Sequence, residues 1–201
     1  MYNTRILATL AILATVVIAQ AQDSFLTRTQ FTPGGAPYDT VAVLTPSIEV
    51  WSYGFNTKSP DLEIGRLYSV TKSGKKSKGF LLAGGYAAIW PATQNTFAIP
   101  FALFSYDLGN IRVKGGIGEY LPIGTFGPSI FCSDQIAITA PIKNGIRYGL
   151  ATSIWAPQGA ESDLKIGLIA TDPFKGSSLT TRCLFNREGH AYVRTEIGWK
   201  L

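Results

Sequence analysis

His190 is the only histidine in the chain, so any catalysis that uses an imidazole as a base must use this residue. Tyr192 and Glu196 follow at two and six positions, and on an extended strand all three would share one face. No serine falls on that face between His190 and the end of the chain, so a nucleophile, a base and a carboxylate are not aligned. We therefore interpret His190 as a residue at the rim of the fold and predict no catalytic site.

Other groups that often do chemistry also lack a suitable arrangement. Asp134, Glu161 and Asp163 lie in or beside predicted loops and form no recognisable acid–base pair. Gly84-Gly85 and Gly115-Gly116 lack the strand-to-helix context of a phosphate-binding loop. One histidine and two distant cysteines do not give the spacing of a metal site. We predict a non-enzyme with no cofactor and no metal.

The last residues of the chain predict the secondary structure that must position any functional group. Successive side chains of a strand point to opposite faces, and from residue 190 onward apolar and polar residues alternate. The apolar face contains Ala191, Val193, Thr195, Ile197, Trp199 and Leu201. The opposite face contains Tyr192, Arg194, Glu196, Gly198 and Lys200. A helix would mix the two sets, so we predict a strand that runs to the carboxyl end.

Similar short strands separated by turn residues fill the chain from residue 40 onward, and no segment reads as a helix. Asn144-Gly145 is a strong hairpin signal, because this pair readily adopts the positive φ values of a type I′ turn. Neighbouring strands joined by turns favour an antiparallel up-and-down meander. The chain offers roughly ten or eleven strand candidates. We predict an all-β barrel of about eight to ten strands, since single-chain barrels of this kind close with an even number.

The amino-terminal residues have the three-part layout of a secretory signal. Met1–Arg5 includes one positive charge, an apolar run follows to Ala19, and Ala19-Gln20-Ala21 fits a signal peptidase site. We predict a signal peptide at 1–21, an irregular leader at 22–39 and a single β-barrel domain at 40–201. Export allows a disulfide between Cys132 and Cys183, and two buried thiols are the alternative.

Composition also limits the partners of the chain. Charged residues are 15% of its 201 residues, against about 25% in an average soluble domain, and glycine and aromatic residues are abundant. This bias fits a barrel with an apolar outside, and a secreted β-sandwich can have the same composition. The net charge of +5 is spread along the chain, and no nucleic-acid-binding motif is present. We predict no nucleic-acid partner.

The alternating end of the chain, with Trp199 third from last, resembles the closing strand of small bacterial outer-membrane β-barrels. The resemblance implies an outer-membrane location, an apolar face toward lipid, and recognition of the last strand by the barrel-assembly machinery. Some outer-membrane barrels that trim lipid A use a His-x-Ser pair, but Tyr192 stands in the serine position here. That activity is therefore not expected.

If the polar faces line an interior, that interior has a positive bias that Glu63 and Glu196 offset only in part. The lumen-lining candidates are Arg112, Lys114, Tyr120, Arg147, Lys165, Arg182, Tyr192, Arg194, Glu196 and Lys200. In a small barrel such residues would form a packed salt-bridge network, which we favour over an anion pore.

Two functional hypotheses follow from these patterns. The first is an outer-membrane barrel with a structural, adhesive or narrow-pore role, whose partners are the bilayer and outer-membrane lipids. The second is a secreted, soluble β-sandwich or β-barrel in the periplasm or outside the cell, which binds a glycan or a protein. The direction in which the apolar faces point distinguishes the two.

Overall fold

The computed structural model of the chain describes residues 24–32, 34–45, 47–70, 78–124, 127–142, 144–174 and 177–200. The predicted signal peptide at 1–21 lies outside them. Within these ranges, no helix is long and apolar enough to cross a membrane. The described residues form twelve strands: β1 (Ser24–Phe31), β2 (Tyr38–Leu44), β3 (Glu49–Tyr53), β4 (Asp61–Ser69), β5 (Gly79–Trp90), β6 (Asn95–Leu108), β7 (Ile111–Pro122), β8 (Ile130–Pro141), β9 (Arg147–Pro157), β10 (Asp163–Phe174), β11 (Ser177–Phe185) and β12 (Ala191–Lys200).

Each strand pairs antiparallel with the next, and β1 pairs with β12 to close the sheet. The predicted all-β, up-and-down antiparallel barrel is therefore confirmed. The closing seam joins Ser24 to Lys200 at one end and Phe31 to Val193 at the other. We call the first of these the terminal end of the barrel and the opposite one the far end.

The predicted number of eight to ten strands was too low, since the described residues form twelve. One strand that the prediction left out is β1, which lies inside the segment 22–39 that we expected to be irregular. Its outward residues are Phe25, Thr27, Thr29 and Phe31, and threonine is a weak apolar signal. β1 pairs with the adjacent β2 as well as with β12, so a short connection does follow it, and the weak apolar pattern is the reason why the strand was missed.

The barrel has the opposite arrangement to a soluble protein. Leu150 and Ile166 point outward and are 60% and 54% exposed, whereas Arg182 points inward and is 2% exposed. The same alternation continues on β12, where Ile197 and Trp199 lie on the outer face, opposite the face of Glu196. The two-sheet sandwich alternative is therefore wrong: there is one closed sheet, and its apolar side chains are on the outside.

A bulge in β8 changes which residues face the interior. Relative to β9 the register shifts between Ser133 and Ile136, and relative to β7 it shifts between Lys114 and Gly116. Cys132 before the bulge and Ala137 after it are both buried on the inner face. An inserted residue of this kind reverses the parity of all later positions in the strand.

The permissible disulfide between Cys132 and Cys183 is not formed. Cys132 is on β8 and Cys183 is on β11, so two strands lie between them. The side chains also point to opposite faces, because Cys183 pairs with the outward Leu168. The sequence could not exclude the bond, because the strand order decides the distance between the two residues.

Candidate functional site

The closing seam is joined inside the barrel by a charged cluster. Nε and Nη2 of Arg28 donate to Oε2 of Glu196 at 3.0 Å and 2.8 Å. Nη2 of Arg182 lies 3.9 Å from the same oxygen. The three residues belong to β1, β12 and β11, so one carboxylate links three adjacent strands.

Other interior cations also have polar partners. Nη2 of Arg194 donates to the amide oxygen of Gln30 at 2.7 Å. Lys165 forms an ion pair with Asp163, and its ammonium group lies 4.5 Å from the centroid of the Tyr192 ring. These contacts extend the polar wall over β10, β12 and β1.

The terminal end has a separate basic group. Nε of Arg112 lies 2.7 Å from Oδ1 of Asp107, and Nη2 of Arg147 donates to the carbonyl oxygen of Thr139 at 2.9 Å. Lys114 lies on the same inward face of β7 as Arg112. These residues lie within the last four positions of their strands at the terminal end.

The structure places the side chains of these predicted residues on the inner face of the sheet: Arg112, Lys114, Tyr120, Arg147, Lys165, Arg182, Tyr192, Arg194 and Glu196. For Lys200 it describes the backbone alone, at a position of the same parity.

An acidic sector on β3 and β4 opposes these cations, and the sequence analysis recognised only Glu63 in it. Glu63 is 6% exposed, and its two carboxylate oxygens accept hydrogen bonds from Tyr53 at 3.0 Å and Tyr120 at 2.7 Å. Oε2 of Glu49 accepts a hydrogen bond from Tyr86 at 2.5 Å. Asp61 lies beside Tyr53 in the sheet and adds a third carboxylate to this sector.

Four aromatic rings narrow the interior at the far end. We call Trp90, Phe97, Tyr120 and Trp155 the aromatic constriction. The centroids of Trp90 and Trp155 are 6.2 Å apart, and that of Tyr120 lies 5.5 Å from Trp90 and 5.3 Å from Trp155. Because Trp90 is on β5 and Trp155 on β9, with three strands between them, these contacts cross the interior.

The hydrogen bond from Tyr120 to Glu63 crosses the interior in the same way, from β7 to β4. Both residues lie two positions from the far end of their strands. The narrow section therefore combines aromatic rings with one buried carboxylate. Along the barrel axis, this narrow section lies near the far end and not in the middle.

Part of the interior is apolar, which the sequence analysis did not anticipate. Ile99 on β6 and Ile169 on β10 are both almost fully buried. Ile169 packs with Ala137, Ala151 and Leu184 in a row across four strands. Because Ile169 also pairs with Arg182 in the sheet, these apolar groups lie among charged ones.

The aromatic residues Trp51 and Tyr53 of β3 point into the barrel, where Arg28 lies over the Trp51 ring at 5.6 Å. Glu49 has the same parity as both rings. A charge on that face was the available signal that the face is internal.

The residues considered for catalysis are separated in the structure. His190 lies in the turn before β12, with Nδ1 3.2 Å from the exposed Glu188 carboxylate. Tyr192 and Glu196 point inward and have the partners given above. Glu161 forms an exposed ion pair with Arg187.

The closed barrel, with its apolar outside and polar inside, has the architecture of bacterial outer-membrane β-barrels. It is similar to a KdgM porin in complex with disordered oligogalacturonate, with a TM-score of 0.65, 10% identity, and coverage of 89% of this chain and 99% of that one. A second KdgM porin structure gives 0.61 and 11% identity, with the same coverage. A structure from work on the in-meso crystallization of membrane proteins gives 0.64 and 6% identity, covering 90% and 83%.

No protein-family model and no curated protein matches the sequence. At these low identities the similar structures show the fold alone. At that level they confirm the resemblance to small outer-membrane barrels.

Proposed function

We propose that this chain is a narrow-pore barrel of the bacterial outer membrane that conducts small polar solutes. The observation that carries the proposal is the charged interior enclosed by an apolar outer face. The apolar side chains of the outer face can contact lipid. The backbone is compatible with a bilayer as well, because a closed sheet pairs its backbone groups between strands and leaves no open edge. Two of the similar barrels are porins, which supports a channel function.

The short connections between strands argue against the adhesive role. At the far end β5 is joined to β6, and β9 to β10, through only a few residues. An adhesin needs loops that extend from the scaffold to form a binding surface. The polar interior therefore offers more for function than the loops do.

Location is tested by fractionation of cells that express the full chain. We expect the protein in the outer-membrane fraction, with detergent required for extraction and a shift in gel mobility on heating. Export by the predicted signal peptide and recognition of β12 by the barrel-assembly machinery belong to the same proposal. Recovery as a soluble periplasmic protein would contradict it.

The pore is tested by single-channel recording in planar bilayers. The wild type should conduct weakly, because the aromatic constriction narrows the interior. The double variant Trp90→Ala with Trp155→Ala should give a clearly larger conductance. Trp199→Ala is the matched control, since Trp199 lies on the outer face against Phe25 and should leave conductance unchanged. If neither the wild type nor the double variant conducts, the chain is not a pore.

A further inference from the structure

We propose that Glu63 makes this pore select cations over anions. The inference rests on the proposed pore and concerns the same interior. It differs from the expectation of a positively biased interior, because it assigns selectivity to the aromatic constriction and not to the average charge of the walls.

Position is the first argument. Tyr120 of the aromatic constriction is hydrogen-bonded to Glu63 across the interior, so the carboxylate lies at the narrow section itself. A solute that passes the constriction must pass close to this group. Rings of carboxylates at a constriction are a common basis of cation selectivity.

The type of hydrogen-bond partner is the second argument. Both donors to Glu63 are tyrosine hydroxyls, which are neutral. Arg28 is the cation that acts on the Glu63 charge, and its guanidinium is bound to Glu196. Glu49, on the neighbouring strand, is likewise bound by the hydroxyl of Tyr86. The acidic sector therefore presents its charge to the interior.

The interior cations are partnered differently. Arg28 and Arg182 share the carboxylate of Glu196, and Lys165 is paired with Asp163. Arg194 is bound to a neutral amide, but it lies on β12, on the opposite side of β1 from the acidic sector. Arg147, with neutral partners, lies at the terminal end, away from the constriction. Ion pairing thus compensates the charge of these interior cations more than it compensates the charge of the acidic sector.

The expected effect follows from Coulomb's law. One unit charge about 5 Å from a permeating ion changes the local ion concentration about fourfold in the dielectric of water, and more in a narrower, drier section. Since the charge raises the local cation concentration and lowers the local anion concentration by that factor, removing it should lower the ratio of K⁺ to Cl⁻ permeability about sixteenfold.

The test is the reversal potential of the full chain in a planar bilayer under a KCl gradient. The wild type should be cation-selective. Glu63→Gln keeps the size of the side chain and should reduce the permeability ratio, whereas Glu63→Asp keeps the charge and should preserve the preference for K⁺. Glu119→Gln is the matched control. Glu119 is also a carboxylate near the far end of the barrel, but it lies on the outer face of β7.

The outcomes separate this inference from the proposed pore. A wild type that conducts but prefers Cl⁻ would overturn the role of Glu63 and leave the pore intact, and this holds even where Glu63→Gln does not fold. Equal permeability ratios for Glu63→Gln and Glu119→Gln would also overturn it. Absence of conductance in the wild type and in the double tryptophan variant would contradict the pore itself.

Discussion

The ion pair between Arg28 and Glu196 should be a main support of barrel closure. It joins β1 to β12, the only pairing in this meander that no turn connects. Glu196→Gln would remove the charge that faces both Arg28 and Arg182. The decrease in the free energy of unfolding of this variant would therefore measure how much the ion pair stabilises the pairing of β1 with β12.

The size of the effect can be estimated from burial. Breaking a buried ion pair by removing one partner costs about 3–5 kcal/mol, because the remaining charge is left uncompensated. Side-chain exposure is 8% for Arg28 and 18% for Glu196, so some solvent reaches the carboxylate. We therefore expect a loss near the lower limit, about 3 kcal/mol.

The assay is equilibrium unfolding by urea in lipid vesicles, followed by tryptophan fluorescence. Glu161→Gln is the control, because its pair with Arg187 has a similar length of 3.0 Å but Glu161 is 81% exposed. Exposed pairs contribute about 0–1 kcal/mol, so this variant should unfold like the wild type. A Glu196→Gln loss no larger than the loss in Glu161→Gln would refute the reasoning.

Two further predictions concern the wall of the barrel. A Cβ on Gly167 would overlap the carbonyl oxygen of Cys183, whereas one on Gly198 would meet only a side-chain oxygen at ordinary contact distance. Gly167→Ala should therefore lower the urea midpoint, and Gly198→Ala should not; equal midpoints would contradict the close strand approach. Leu150→Arg, near the middle of β9, should cost about 2–4 kcal/mol in a bilayer, and Leu108→Arg, at the end of β6, about 0–1 kcal/mol. Equal costs in lipid vesicles would contradict the depth of these residues.

Strand alternation made most of the fold predictable from the sequence. On β12, and on β10 from Asp163 to Leu168, apolar and polar residues alternate, so both the strand and its two faces follow from local pattern. β1 has a weaker pattern, because threonine as well as phenylalanine lies on its outer face.

The sequence predicts which side chains of a single strand point inward, but not which of them meet across the interior. A polar face identifies residues such as Arg182 and Arg194, because their strands have a clear apolar side. The contact of Trp90 with Trp155 depends on the curvature of the sheet and on which strands oppose each other, and neither property is local. The same holds for Tyr120 and Glu63, which come together only across the interior.

The central claim is that the outer face of this barrel contacts lipid and the inner face does not. The chain has four tryptophans, of which Trp51, Trp90 and Trp155 point inward and Trp199 points outward. Variants that retain only Trp199 or only Trp155, with phenylalanine at the other three positions, can be inserted into vesicles of brominated lipid. The account predicts strong quenching of Trp199 and weak quenching of Trp155. Equal quenching of the two, or stronger quenching of Trp155, would contradict it.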